Sequence, residues 1–264
     1  MKSLWLLVLL SACPPVLADV DGGAPPTALF KHAHNDYEHA RPLFDALDQG
    51  FESVEADVWL DGTDVGVSHT GAPFKGSLDG LYLQPLEERL AANHGSVYGD
   101  GRPFFLWLDL KQGSAQLQDA IVARLAARTW LTRFDDSGVV TPGAVTVLLT
   151  GDATAKTALT ARAAPRPYAR DSNDYSPKDP QQDGRWRSYA VNYYAWLTWN
   201  GVGEIPSDQR RQLRNLVNGV HATGRTLRIY SAPEQAAYWR EAKTAGVDFI
   251  GADDLAGLAA VMRE

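Results

Sequence analysis

"ALFKHAHNDYEHARPLFDALDQGFESVEADVWL" (Ala28–Leu60) decides the fold. Its first part, "ALFKHAH", is a short apolar run that ends in histidine. Its middle, "PLFDALDQG", spaces apolar residues as a helix does and stops at Gly50, the residue type that commonly ends helices. Its last part, "SVEADVWL", alternates Val54, Ala56 and Val58 with Glu55 and Asp57, the period-two pattern of a strand. Strand, helix and strand in this order make a βαβ unit, which joins parallel strands.

The pattern continues along the chain. Further strand candidates are "DVGVSH", "FFLWLDLK", "AVTVLLT", "SYAVNYYAW", "TLRIYS" and "DFIGA". Helix-like segments such as "PLEERLAANH", "SAQLQDAIVARLAART", "SDQRRQLRNLVNGVHATG" and "PEQAAYWREAKTAG" lie between most of them, the last two ending at Gly224 and Gly246. Eight strands in the roughly 245 residues that follow residue 18 suit a (β/α)8 TIM barrel over residues 28–264. An open doubly wound sheet fits less well, because no glycine-rich phosphate loop follows the first strand. "DVGVSH" follows its predecessor after only a few residues, so the barrel is expected to be irregular, with one crossover helix missing there. The polar, turn-rich stretch Pro165–Arg187 reads as a surface loop.

Residues 1–18, with Lys2, the apolar run Leu4–Leu10 and a small-residue site at Val16 and Ala18, read as a secretory signal peptide. The alternative is a lipoprotein leader of residues 1–12, with lipid carried on Cys13. Either exports the protein to the periplasm or medium, and the run is too short for a transmembrane span. Residues 19–27 form a Gly/Pro linker. A net charge of -7 without a dense Lys/Arg block excludes a nucleic-acid footprint. A single cysteine excludes both a disulfide framework and a thiolate zinc site within one chain.

Residues two apart on a strand share a face. Glu55 and Asp57 share one face of their strand, as Asp109 and Lys111 do of theirs, opposite the apolar residues. On a barrel, that face turns to the lumen and its last residues reach the C-terminal mouth, where barrel enzymes keep their sites. His34 and His69 end two further strand candidates. Three carboxylates and the Asn35 amide offer hard oxygen ligands for one divalent cation, Mg²⁺ or Ca²⁺. Two histidines beside such an ion can act as acid and base near neutral pH. His32 is expected to be structural. His39, His94 and His221 show no chemical partner and read as surface residues. Lys111 is a candidate phosphate-binding cation, and Arg228 with Tyr230 is either a substrate-binding pair or lumen filling.

His-Asn, Glu-x-Asp, His and a later carboxylate, in that order, resemble the phosphatidylinositol phospholipase C-like phosphodiesterase superfamily, which includes the glycerophosphodiester phosphodiesterases. "HAHNDY", "RPLFDALDQGFESVEADVWL", "VSHTG", "GLYLQPLEERL", "GRTLRIYSAP" and "GVDFIGADDL" are most similar to the branch named for altered inheritance of mitochondria. The resemblance implies catalytic roles for His34 and His69, and metal ligation by Asn35, Glu55, Asp57 and Asp109. Thr70 stands where many glycerophosphodiesterases have aspartate, and their Glu-Asn-Thr step is absent near Arg41. The function expected is that of an exported, metal-dependent phosphoric diester hydrolase acting on a glycerophosphodiester or phospholipid-type substrate. A cyclic phosphate and direct attack by water are both open routes, and an inactive ligand-binding barrel is the alternative.

Overall fold

Phe30–Ala33 (β1), Phe44–Asp48 (α1) and Ser53–Asp61 (β2) form the opening βαβ unit of a computed structural model that describes residues 29–264. The expected leader and linker, residues 1–27, lie outside the described residues. β2 turns back at Gly62 into Asp64–Val67 (β3), which is followed by Gly76–Ser77 (β4). Next come Gln84–Ala92 (α2), Phe104–Leu110 (β5) and Ala115–Ala126 (α3), then a small hairpin of Arg133–Phe134 (β6) and Val140–Thr141 (β7). The chain continues through Val145–Gly151 (β8), Ala153–Thr160 (α4), Ala169–Ser172 (β9) and Trp186–Asn192 (β10). Ser207–Ala222 (α5), Thr226–Tyr230 (β11), Ala236–Ala245 (α6), Phe249–Ala252 (β12) and Leu255–Arg263 (α7) complete it.

β1, β2, β5, β8, β9, β10, β11 and β12 pair in parallel around a closed ring, with β12 returning to β1. This is the expected (β/α)8 barrel. Val54, Ala56, Val58, Leu106, Leu108 and Leu110 belong to the core layer between strands and helices. α3 meets that layer through Leu117, Ile121 and Leu125, four residues apart, and α5 through Leu213, Leu216, Val217 and Val220. Gly50, Gly224 and Gly246 take positive φ as the expected helix stops. The lower lumen is filled by Phe30, Trp107, Leu148, Ala169, Ala190 and Phe249, and Phe134 of the β6–β7 hairpin joins the same cluster. Glu55, in register with Trp107, and Asp57, in register with Asp109, stand on the lumen side above this floor.

Two strand expectations need correction. "DVGVSH" is not a barrel strand: β3 runs antiparallel to β2, with Asp61 opposite Asp64. The link is only two residues long, which permits a hairpin but not a parallel crossover. The eighth barrel strand is β9, inside the stretch expected to be a loop. "ARDS" has no β-branched or aromatic residue, so its strand state comes from the ladders on both sides. The missing crossover helix is accordingly between β9 and β10. There Arg225 donates to the carbonyls of Pro180, Gln181 and Trp186 at 2.7, 3.2 and 3.0 Å and stacks on the Trp186 ring. Among the described residues, no helix is long and apolar enough to cross a membrane.

Candidate active site

The end of β1 presents His34, and Asn35 follows in the left-handed region (φ 46°, ψ 41°), which asparagine tolerates. The reversal is held from below by Asp36, fully buried, whose Oδ2 accepts from the Leu43 N–H at 2.6 Å and the Tyr82 hydroxyl at 2.9 Å. Burial pushes the Asp36 carboxyl up to about 6 against those two donors. His34 is thereby aimed into the mouth. Its Nδ1 lies 2.8 Å from Asp253 Oδ1, and its Nε2 lies 3.8 Å from Glu55 Oε2. Burial opposes the charged ring, but the Asp253 hydrogen bond and the Glu55 charge raise His34 above the usual histidine range.

Glu55, Asp57 and Asp109 place carboxylate oxygens within 4.8 Å of one another. Each is already engaged by a cation. Arg228 grips Glu55 in a bidentate pair, Nη1 to Oε1 at 2.6 Å and Nη2 to Oε2 at 2.8 Å. Burial alone would raise the Glu55 carboxyl, yet the Arg228 charge holds it well below the usual carboxylate range. Lys111 Nζ sits 2.8 Å from Asp57 Oδ2 and 2.7 Å from Asp109 Oδ2. Burial still pushes Asp57 upward, with Asp109 and Glu55 adding to it and Lys111 opposing. Asp57 Oδ1 is buried and has no hydrogen-bond partner. Buried polar groups are normally satisfied, so an orphaned carboxylate oxygen beside two other carboxylates fits a hard cation. The adjacent backbone must be glycine: at Gly151 (φ 83°) an added Cβ would lie 2.1 Å from Asp109 Oδ1 and 2.6 Å from the Leu110 carbonyl.

His69 follows β3 and is open to solvent. Its Nδ1 lies 3.1 Å from Asp57 Oδ2 and 3.3 Å from the Tyr37 hydroxyl. Tyr37, buried, donates to Asn35 Oδ1 at 2.9 Å. Asn35 therefore stands beside the three carboxylates with its amide oxygen committed to Tyr37.

His34, Asn35, Glu55, Asp57, His69, Asp109 and Lys111 meet at this one mouth. Arg228 is 4 % exposed and turned to Glu55, so its charge serves that carboxylate and is not presented to the opening. Tyr230, partly buried, packs against the lumen cluster. His32 is fully buried beneath, with Nδ1 2.8 Å from Ser53 Oγ, and burial first and Arg228 second lower it to about 3, leaving a neutral ring. Sequence reasoning passes over Asp253 and Tyr37. The signal available for Asp253 is its place just after the final strand in "GADDL"; Tyr37 has none beyond its neighbours in "HNDY". His221, read as a surface residue, instead pairs with buried Asp248 at 2.7 Å.

Residues 24–100 match the model of the AIM6-like phosphodiesterase domain. The chain is 34 % identical over 155 residues to altered inheritance of mitochondria protein 6 of Kluyveromyces lactis, covering 46 % of this chain and 37 % of that protein. It is 26 % identical over 240 residues to the protein of the same name in Saccharomyces cerevisiae, covering 76 % of this chain and 61 % of that one. The chain thus spans less than two thirds of the length of these curated relatives. The fold is shared with the crystal structure of glycerophosphodiester phosphodiesterase from Agrobacterium tumefaciens, at a TM-score of 0.53 and 15 % identity, over 89 % of this chain and 100 % of that one. The superfamily resemblance read from the sequence is borne out.

Proposed function

We propose, taking the phosphodiesterase-domain match over residues 24–100 as premise, that this chain is an exported, metal-dependent phosphoric diester hydrolase acting on a small-molecule or lipid phosphodiester. One observation carries the reading: three clustered carboxylates and two imidazoles share the C-terminal mouth of one barrel. Glu55, Asp57 and Asp109 would hold one divalent cation, Mg²⁺ or Ca²⁺, with Asn35 beside them. When bound, such a cation neutralises a phosphate oxygen and lowers the pKa of the attacking hydroxyl.

The chain's own residues do the rest. Lys111, partly exposed at the mouth, offers a charge to a second phosphate oxygen. One of the imidazoles of His34 and His69 takes the proton of the attacking hydroxyl, and the other gives a proton to the leaving oxygen. Asp253 holds His34, and Asp57 with Tyr37 holds His69, so both rings are oriented before substrate arrives. The attacking group is a neighbouring hydroxyl of the substrate, which would give a cyclic phosphate, or water.

Hydrolysis of bis(p-nitrophenyl) phosphate, with a parallel panel of glycerophosphodiesters and lysophospholipids, tests the proposal. The expected result is turnover of at least one substrate that EDTA abolishes and added Mg²⁺ or Ca²⁺ restores. Turnover indifferent to EDTA would remove the metal from the proposal. A ligand-binding barrel without turnover is the second reading, favoured by the grip of Arg228 on both oxygens of Glu55. Binding of a phosphodiester with no turnover of any panel member at saturating metal would establish it instead.

A further inference from the structure

Tyr37 touches Asn35 and one of the two imidazoles, His69, and its hydroxyl has a single proton to give. Its oxygen lies 2.9 Å from Asn35 Oδ1 and 3.3 Å from His69 Nδ1. The Asn35 amide oxygen and the Asp57 carboxylate, which also lies beside the hydroxyl, only accept, so the tyrosyl proton points at one of them and not at His69. What remains toward His69 is a lone pair. The other neighbour of His69 Nδ1, Asp57 Oδ2 at 3.1 Å, already receives Lys111 Nζ at 2.8 Å. Ring nitrogens facing two acceptors carry the proton, and histidine tautomers are read from such networks. The neutral His69 ring is then the Nδ1–H form, with the Nε2 lone pair directed away from the cluster.

We propose that Tyr37 is a positioning residue for His69: by giving its proton to Asn35 or Asp57 it becomes an acceptor that selects the Nδ1–H tautomer and leaves Nε2 free to exchange a proton with substrate. This rests on the reading of His69 as one of the two acid–base groups. Asp57 favours the same tautomer, so removal of the tyrosyl oxygen weakens the selection without inverting it.

The test is imidazole ¹⁵N NMR of the full chain, over the pH range in which His69 is neutral, with the signals assigned by comparison with His69→Gln. Wild type is expected to show His69 as Nδ1–H. Tyr37→Phe, which keeps the buried ring, is expected to raise the Nε2–H population of His69 and to leave His34, held by Asp253, unchanged. Asn35→Gly keeps the positive φ and leaves Asp57 to take the tyrosyl proton, and is expected to keep His69 as Nδ1–H. Where turnover is measurable, Tyr37→Phe lowers kcat about threefold to tenfold with KM unchanged, the size of one hydrogen bond. An Nε2–H ring in wild type, or a tautomer unmoved in Tyr37→Phe, overturns the proposal. The spectroscopic result stands whether or not the chain turns over a phosphodiester, so failure here is separate from failure of the phosphodiesterase reading.

Discussion

Arg228 reaches Glu55 across 173 positions of sequence, and the two are almost wholly buried. A buried pair of this kind contributes little net stability compared with well-packed apolar residues, but breaking one side strands a charge. Arg228→Met is therefore expected to lower unfolding free energy by about 3 to 5 kcal/mol in urea titrations, and Arg228→Met with Glu55→Gln to recover much of the loss. Equal losses in the single and double variants would mean that the pair is not what holds this part of the lumen. The carboxylates and His34 were legible in sequence because each sits at or near a strand end in an alternating pattern. Arg228 as partner of Glu55, and Asp253 as partner of His34 across 219 positions, were not. Those pairings exist only once the ring has closed, and no local periodicity encodes them.

At the level of elements, the last turn of α5 is tied to the entry of β12 through His221 and Asp248. Asp248 Oδ2 accepts from His221 at 2.7 Å and from the Leu227 N–H at 2.8 Å. The hydrogen bond to Asp248 raises the His221 pKa against the pull of desolvation. A raised folded value means that the folded protein binds the proton more tightly than the unfolded chain. The stabilisation is present in full below about pH 6.5 and lost as pH rises through the folded value. Between about pH 6 and about pH 8 the melting temperature of wild type should fall relative to that of His221→Gln; parallel curves would show that the pair carries no linkage. Elements with strong periodicity, such as α3 and α5, are legible from sequence alone. β9 is not, because its four residues are strand by virtue of β8 and β10. β3 was legible as a strand, and its direction was legible too in the short link to β2, which only a hairpin can make; counting it as a barrel strand set that signal aside.

Across the whole molecule, polarity runs from an aromatic floor at the strand starts to an ionised mouth at their ends. That gradient can be read in single strands: "FFLWLDLK" passes from Phe105 through Trp107 to Asp109 on one face. The site's place at the C-terminal end was legible for this reason, whereas the helix-free connection between β9 and β10 was not, its polar composition being equally that of a surface loop. The proposed export belongs to the chain as a whole and rests on the leader pattern read in the sequence before the barrel. Mass spectrometry of the mature protein is expected to find an N-terminus at Asp19, or a lipid-modified Cys13. Recovery of Met1 on the functional protein would contradict both.

The β3–β4 extension has a mechanical consequence. The eight-membered ring is a hoop, in which a shear at one ladder is shared with the others. β3 lies outside that hoop: it is clamped to β2 along four residue pairs from Val58–Val67 to Asp61–Asp64, carries two residues of β4 on its other edge, and buries Val65 and Val67 in the core. His34 rides on the hoop and His69 on this outlying strand's end. The spacing between the two rings is therefore set by the β2–β3 ladder and the burial of Val65 and Val67, together with the brace that Asp57 and Tyr37 supply beyond the strand.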